Sequence, residues 1–198
     1  MLNFNSMDLP REMIDNSENI RDKFINNGLT DTSVLRPEIL DSWQRCKGTI
    51  DPHRRNSSEI LPAKEIEQLR MEYGELIDIA LPVMESLYSF VRGSDYSIIL
   101  GMVKNEDLIL VEFFCSPRLW KENERLNALP GSNWNEKVMG TSAISMALYH
   151  DRPFQLYPYE NWCDGMRDVS TSAAPIHDPG SLETIGILLI GSVNVTLH

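Results

Sequence analysis

Residues 131–148 read GSNWNEKVMGTSAISMAL: two glycines bracket an Asn-Trp pair, and a Gly-Thr then opens a run of small and apolar residues. Those residue types suit three kinds of chemistry. Glycines before a helix can cradle a phosphate, a Trp beside them can stack on a ring, and a small helix face can leave room for a ligand. The phosphate reading fails at once, because the chain has no G-x-x-x-x-G-K-[ST] and no G-x-G-x-x-G after a strand pattern. Asn133 or Asn135 is placed to cap a helix that continues with Glu136 and Lys137. Gly140, Ser142, Ala143, Ser145 and Ala147 make one face of that helix small. Such a face either packs closely on a sheet or lines a cavity roofed by Trp134 and Met139.

The other reactive residue types are scattered. Cys46, Cys115 and Cys163 form no CxxC pair and read as isolated small hydrophobes, with a thiol mechanism through Cys115 or Cys163 as the alternative. His53, His150, His177 and His198 show neither HxH nor HExxH spacing, so neither a metal nor a cofactor is expected. His177, beside Asp178, reads as an exposed turn residue. No G-x-S-x-G elbow is present. His53-Arg54-Arg55 is the one basic cluster and reads as a solvated loop. The loop YPYENWCDG, residues 157–165, sets Tyr157, Tyr159, Trp162 and Cys163 among Glu160 and Asp164. It is either an aromatic wall of a small-molecule pocket or a loop folded onto its own sheet.

The elements that must carry these residues follow from periodicity. Residues 10–27 and 36–48 read as helices, the second with Pro37 in its first turn, Ile39, Leu40, Trp43 and Cys46 on one face, and Gly48 after its end. Residues 62–92 read as one long amphipathic helix, or two broken near Pro82. From Asp95 the period changes: DYSIILGMV and DLILVEFFC form a hairpin across KNE. A mixed segment, SPRLWKENERLNALPGSNW, leads into a helix over NEKVMGTSAISMALYHD. PFQLY is an edge-strand candidate, and VSTSAAPIHD with ETIGILLIGSV forms a second hairpin across PGSL. This order predicts an α+β domain with an antiparallel sheet and flanking helices.

Charge narrows the partners. The 198 residues carry 18 Lys and Arg against 29 Asp and Glu, a net charge of −11, which argues against a phosphate-neutralising surface. An odd number of dispersed cysteines and an N-terminus without a basic region and apolar core point to the cytoplasm. The apolar runs are strand-length, well short of the roughly 20 residues that span a bilayer.

Two segments together resemble a known family. They are RPEILDSWQRCKGTIDP, residues 36–52, with its Ser-Trp-x-Arg-Cys core, and the stretch from LPGSNWNEKVMGTSAISMAL through TSAAPIHDPGSLETIGILLIGS. In this order and separation, over roughly residues 36–192, they look like the N-terminal sensory region of sigma-54-dependent transcriptional activators of the acetoin- and glycerol-catabolism type. The resemblance implies a GAF-like domain over 61–198, preceded by an N-terminal helical segment over 1–60 that carries the SWxRC motif. It also implies a regulatory input module and no enzyme. The partners implied are a small-molecule effector or a regulatory protein, a homodimer mate, and the AAA+ and helix-turn-helix domains that typically follow in the family. No nucleic acid or membrane is contacted by this region.

The chain departs from the family where its Glu-His pair and tyrosine are replaced by YENWCDG, and where Thr171-Ser172-Ala173 stands for Cys-Ser-Ala. The family's effector is therefore not carried over. The expected pocket lies between the sheet and residues 129–165, with Trp134, Met139, Thr141, Tyr159, Trp162 and Thr171 as ligand-binding candidates and Phe113 and Cys115 on the sheet side. The helices at 10–47 and 62–92 would transmit the signal. Alternatives are a protein-docking module without a small ligand and a small GAF-fold thiol-dependent reductase.

Overall fold

The computed structural model describes residues 20–26 and 35–193. Residues 20–26 are helical, and the remainder of the helix expected over 10–27 lies outside the described residues. Helix α1, Pro37–Cys46, starts on its proline and buries Ile39, Ser42, Trp43 and Cys46. The long segment after it is two helices, α2 (Ala63–Glu72) and α3 (Gly74–Val91). The break falls at Tyr73 (φ −101°, ψ 18°), and Pro82, the expected breakpoint, sits inside α3. Pro82 is tolerated there because it lies on the exposed side, where the carbonyl it leaves unpaired meets water. Tyr73 in turn anchors the corner by donating its hydroxyl to the Val103 carbonyl at 2.7 Å.

Strands β1 (Ser97–Lys104) and β2 (Asp107–Cys115) form the expected hairpin. Its two turn residues, Asn105 and Glu106, both take positive φ, the mirror-image turn that matches strand twist. The segment read as mixed contains a regular helix, α4 (Pro117–Leu126). Ser116 caps it, Pro117 opens it and Asn127 closes it in the left-handed region at φ 56°. The single helix expected after it is instead a turn, α5 (Glu136–Met139), and a separate helix, α6 (Ala143–His150). Gly140, at φ 66°, breaks the two apart, and Ser142 restarts the chain in a reciprocal cap with Ser145. Strand β3 (Phe154–Leu156), a 3-10 turn over Asp164–Met166, β4 (Val169–His177) and β5 (Thr184–Val193) complete the chain.

The five strands form one antiparallel sheet in the order β2-β1-β5-β4-β3, with β3 at an edge as expected. Alternation along the strands divides the core. Ile98, Leu100, Met102, Ile109 and Val111 face α2 and α3. Ile99, Leu108, Leu110, Ile187 and Leu189 face the other way, into one cluster with residues of α1, α4, α5, α6 and the helical residues 20–26. The architecture is the predicted α+β, GAF-like arrangement, with both sheet faces covered.

Gly140 combines a positive φ with a close contact to a buried ring. A Cβ there would lie 2.6 Å from Trp162, in a conformation that L residues rarely adopt. Gly140→Ala is expected to lower stability by about 2–4 kcal/mol through strain plus overpacking. Gly74→Ala, where nothing lies within 4 Å, should be neutral or stabilising by up to about 1 kcal/mol. Urea unfolding of the two variants separates these outcomes.

Candidate functional site

The two segments that carry the family resemblance meet in space. Ser42 of α1 lies 2.5 Å from Glu136 Oε1 and 2.6 Å from Thr141 Oγ1. Arg45 grips the same Glu136 with two bonds of 2.7 Å, and its guanidinium stacks 3.9 Å over the Tyr149 ring. The hydrogen bond to Glu136 raises the Arg45 pKa further, so the guanidinium stays charged. Trp43 donates its indole N–H to the Glu160 carbonyl at 2.9 Å, and Cys46 Sγ sits 3.8 Å from Thr141 Oγ1. Each defined residue of the SWxRC motif thus binds α1 to the domain body.

The loop 157–167 completes this joint. Trp162 is buried and donates to the Ile50 carbonyl at 2.9 Å. Its ring packs against Trp43 and Phe24, with centroids 6.5 and 6.4 Å away. Asn161 Nδ2 donates to the Met166 and Val169 carbonyls, each at 3.0 Å, and Glu160 accepts from Tyr157 N at 2.7 Å and pairs with Arg36. Arg21 reaches in from residues 20–26 to the carbonyls of Asn161 and Pro52 and to Asp164. Burial alone would raise the Asp164 carboxyl, but His53, Arg21 and Arg167 hold it below its ordinary value.

Burial disfavours the thiolate at all three cysteines. Burial pushes Cys163 up to about 12 and Cys46 up to about 11, and it raises Cys115 as well. Cys163 donates its S–H to the Met139 carbonyl at 3.1 Å. Among the described residues no group of three or more His, Cys, Asp or Glu is arranged to hold a metal ion.

A cavity of about 40 Å³ lies elsewhere on the same sheet face, under α4. Its floor is Ile99, Leu110, Leu189 and Gly191, its far wall is Trp134, Ile144 and Met166, and its roof is Leu119, Asn123 and Leu126. Ser97 and Thr171 supply hydroxyls. Asn123 Nδ2 donates to Ser97 Oγ at 2.9 Å, and Thr171 Oγ1 has no partner among the described residues. Trp134 turns its indole N–H away, to Ser132 Oγ at 3.1 Å.

Of the residues singled out in the sequence, Trp134 and Thr171 line this cavity. Met139, Thr141 and Trp162 are buried at the α1 joint instead. Tyr159 is half-buried on the loop at φ 66°, and Phe113 and Cys115 end β2 outside the lining, with Phe113 against Trp120 at 5.3 Å. Ser97, Asn123 and the whole of α4 escaped the sequence reading. The signal for α4 was present as Ser-Pro followed by Leu119, Asn123 and Leu126 at helical spacing.

Comparison with known proteins bears on what such a domain does. No protein-family model matches the chain. The acetoin dehydrogenase operon transcriptional activator AcoR of Bacillus subtilis is 28% identical over 162 residues, covering 81% of this chain and 26% of AcoR. The acetoin catabolism regulatory protein of Cupriavidus necator is 25% identical over 150 residues, covering 74% of this chain and 22% of that protein. Both relatives are transcriptional regulators. They support the sigma-54-dependent activator resemblance that the motifs carried. The chain spans about a quarter of the length of these relatives. Among solved structures, the DhaR(N) part of the Escherichia coli DhaR(N)–DhaL complex superposes with a TM-score of 0.72 at 13% identity, over 80% of this chain and 52% of that one. That likeness shows a shared fold.

Two outcomes follow from the joint and its thiol. Ser42→Ala should cost about 1–3 kcal/mol in chemical denaturation by leaving Glu136 and Thr141 short of a buried partner. For Cys163, the folded value of about 12 lies above the ordinary 9.0, so the folded state holds the proton more tightly. Its contribution is complete below pH 9 and is lost as pH rises toward 12. Cys163→Ser should flatten the fall in unfolding free energy from pH 9.0 up toward pH 12.

Proposed function

We propose that this chain is the signal-receiving module of a sigma-54-dependent transcriptional activator, controlling ATPase and DNA-binding domains that are not in this sequence. The observation that carries the reading is the match to AcoR across 81% of the chain. A cavity roofed by a single helix supports ligand sensing, since an effector acts by binding one of two arrangements more tightly than the other. In this reading residues 1–60 form a helical segment docked on a 61–198 sensory domain. The joint between Ser42, Arg45 and Glu136 then links any movement of the domain to the helices before it.

The module works in the cytoplasm and contacts no nucleic acid itself, in keeping with its net charge of −11. No described helix is long and apolar enough to cross a membrane. The thiol-dependent reductase alternative is disfavoured, because it needs a thiolate and burial opposes one at Cys115 and Cys163. A homodimer is supported by the outward face of α3, where Ile79, Val83 and Phe90 are 64%, 51% and 87% exposed along one stripe. The protein-docking alternative draws its support from the solved neighbour, which is a complex of DhaR(N) with DhaL.

A thermal-shift screen against short diols, ketones, amino acids and nucleotides tests the sensing claim. A true effector at 100 times its dissociation constant should add about 2.7 kcal/mol of stability. A panel without any stabiliser favours the docking alternative. For the dimer, light scattering at micromolar concentration should report twice the chain mass, reduced to one by Phe90→Glu. A wild-type monomer there removes the dimer from the proposal.

A further inference from the structure

The helical residues 20–26 sit on the domain as a ligand sits on a receptor. A helix of that length does not hold itself in water, so its form depends on docking. Two of its side chains, Arg21 and Phe24, are buried, at 1% and 4% exposure. Three positions apart on a helix, they share one face, and Lys23 and Asn26 are exposed.

Arg21 enters a cage of main-chain oxygens. Its Nε donates to the Asn161 and Trp162 carbonyls, each at 3.1 Å, and its Nη2 to the Pro52 carbonyl at 3.0 Å. Asp164 Oδ1, 3.0 Å away, supplies the countercharge. A planar fork of donors reaches several oxygens at once, which a lysine ammonium does not. Beside the cage, Phe24 lies against Trp43 and Trp162, with ring centroids 5.5 and 6.4 Å away. Lys47 Nζ lies 5.0 Å from the Phe24 ring and donates to the Phe24 carbonyl at 3.3 Å.

The receptor is built without the segment it holds. Trp162 N donates to the Thr141 carbonyl at 3.0 Å, its indole donates to the Ile50 carbonyl, and Asp164 N donates to the Pro52 carbonyl at 2.8 Å. Asn161 is fixed by its own amide bonds to the Met166 and Val169 carbonyls. Asp164 has further partners in His53 at 3.0 Å and Arg167 at 3.7 Å. Departure of Arg21 therefore strands no carboxylate and returns the guanidinium to water, so the large penalty for breaking a buried ion pair does not arise. Residues 27–34 tether the segment to α1 and hold it at an effective concentration on the order of millimolar, enough to keep a weak binder docked.

We infer that the Trp43–Trp162 floor and its carbonyl cage form a receptor for a short helix bearing an arginine and, three positions later, an aromatic residue. Residues 20–26 occupy it as a strap, which a partner's segment of that chemistry displaces. The receptor includes Trp43 of the SWxRC motif, so the exchange acts on the α1 joint. It shares none of the residues that line the cavity under α4, and it stands or falls separately from ligand sensing.

The test titrates a fluorescein-labelled peptide of residues 18–28, ENIRDKFINNG, into the 198-residue chain and its Arg21→Ala and Phe24→Ala variants, read by anisotropy. A weakened strap frees the site, so both variants should bind the peptide at least about tenfold more tightly than the parent chain. Their tryptophan emission should shift to the red as Trp43 and Trp162 gain water, while cooperative melting persists. Arg21→Ala or Phe24→Ala in the peptide should weaken its binding to the variants by about tenfold or more, and Arg21→Lys in the peptide should weaken it too. In the parent chain, amides of residues 20–26 should exchange with solvent at least about 100-fold faster than those of β1 and β5. The strap is overturned by peptide binding that is absent or equal for parent and variants, or by binding indifferent to the peptide's Arg and Phe. Loss of cooperative melting in both variants, or protection of residues 20–26 equal to that of β1 and β5, overturns it as well.

Discussion

The structure depends first on the burial of Trp43. Its indole has no exposed surface and lies between Phe24 and Trp162, with its one polar atom bonded to the Glu160 carbonyl. A large ring with a single donor is stable in a dry interior only when that donor is paired, so the docked position of α1 depends on the loop carrying Glu160. Trp162, the next ring in the cluster, requires Gly140 beside it and the Ile50 carbonyl beyond it. One apolar contact therefore disciplines the N-terminal helices, the α5–α6 break and the loop after β3 together.

Around that joint the polar groups are matched rather than abundant. Glu136 accepts from Ser42 and from both arms of Arg45, and Asn135 caps α5 while its amide holds Asp107 and the Glu106 carbonyl. Asn133 likewise bonds Asp107 and Glu59. The stretch 131–142 is thus a hub that ties the β1–β2 turn, the chain near residue 59 and α1 to one another. The cavity lies beside this hub, touching it through Trp134, and is covered by α4, which is tied to the rest through Arg118–Asp95, Asn123–Ser97, the Gly165 carbonyl held by Arg125 and the Leu126 carbonyl that accepts from Ser57 N.

Much of the fold was legible in the sequence. Both hairpins, the edge strand and α1 follow from period and turn chemistry, since each is decided by residues close together in the chain. The misreadings share a cause. Pro82 signals a break by its missing N–H, but exposure lets water take the orphaned carbonyl, and the bend falls at Tyr73. Gly140 lies within an apolar, helix-like pattern, and only the approach of Trp162, far along the chain, shows why the helix must stop there. Helix α4 is largely polar, so its three inward residues made a faint pattern.

The sequence by itself determined the α+β class, the succession of elements along the chain, the motif pair and the acidic net charge, because composition and short-range spacing carry those properties. Trp134 and Thr171 could be named as candidates from their neighbourhood in the chain. Only the tertiary structure decided that Met139, Thr141 and Trp162 serve the α1 joint while Ser97, Asn123 and Gly191 share the cavity with Thr171. The reason is geometric. Strand register brings residues 97, 171 and 191 side by side across three strands, and register is set by which face of each strand is buried, a property of the assembled sheet.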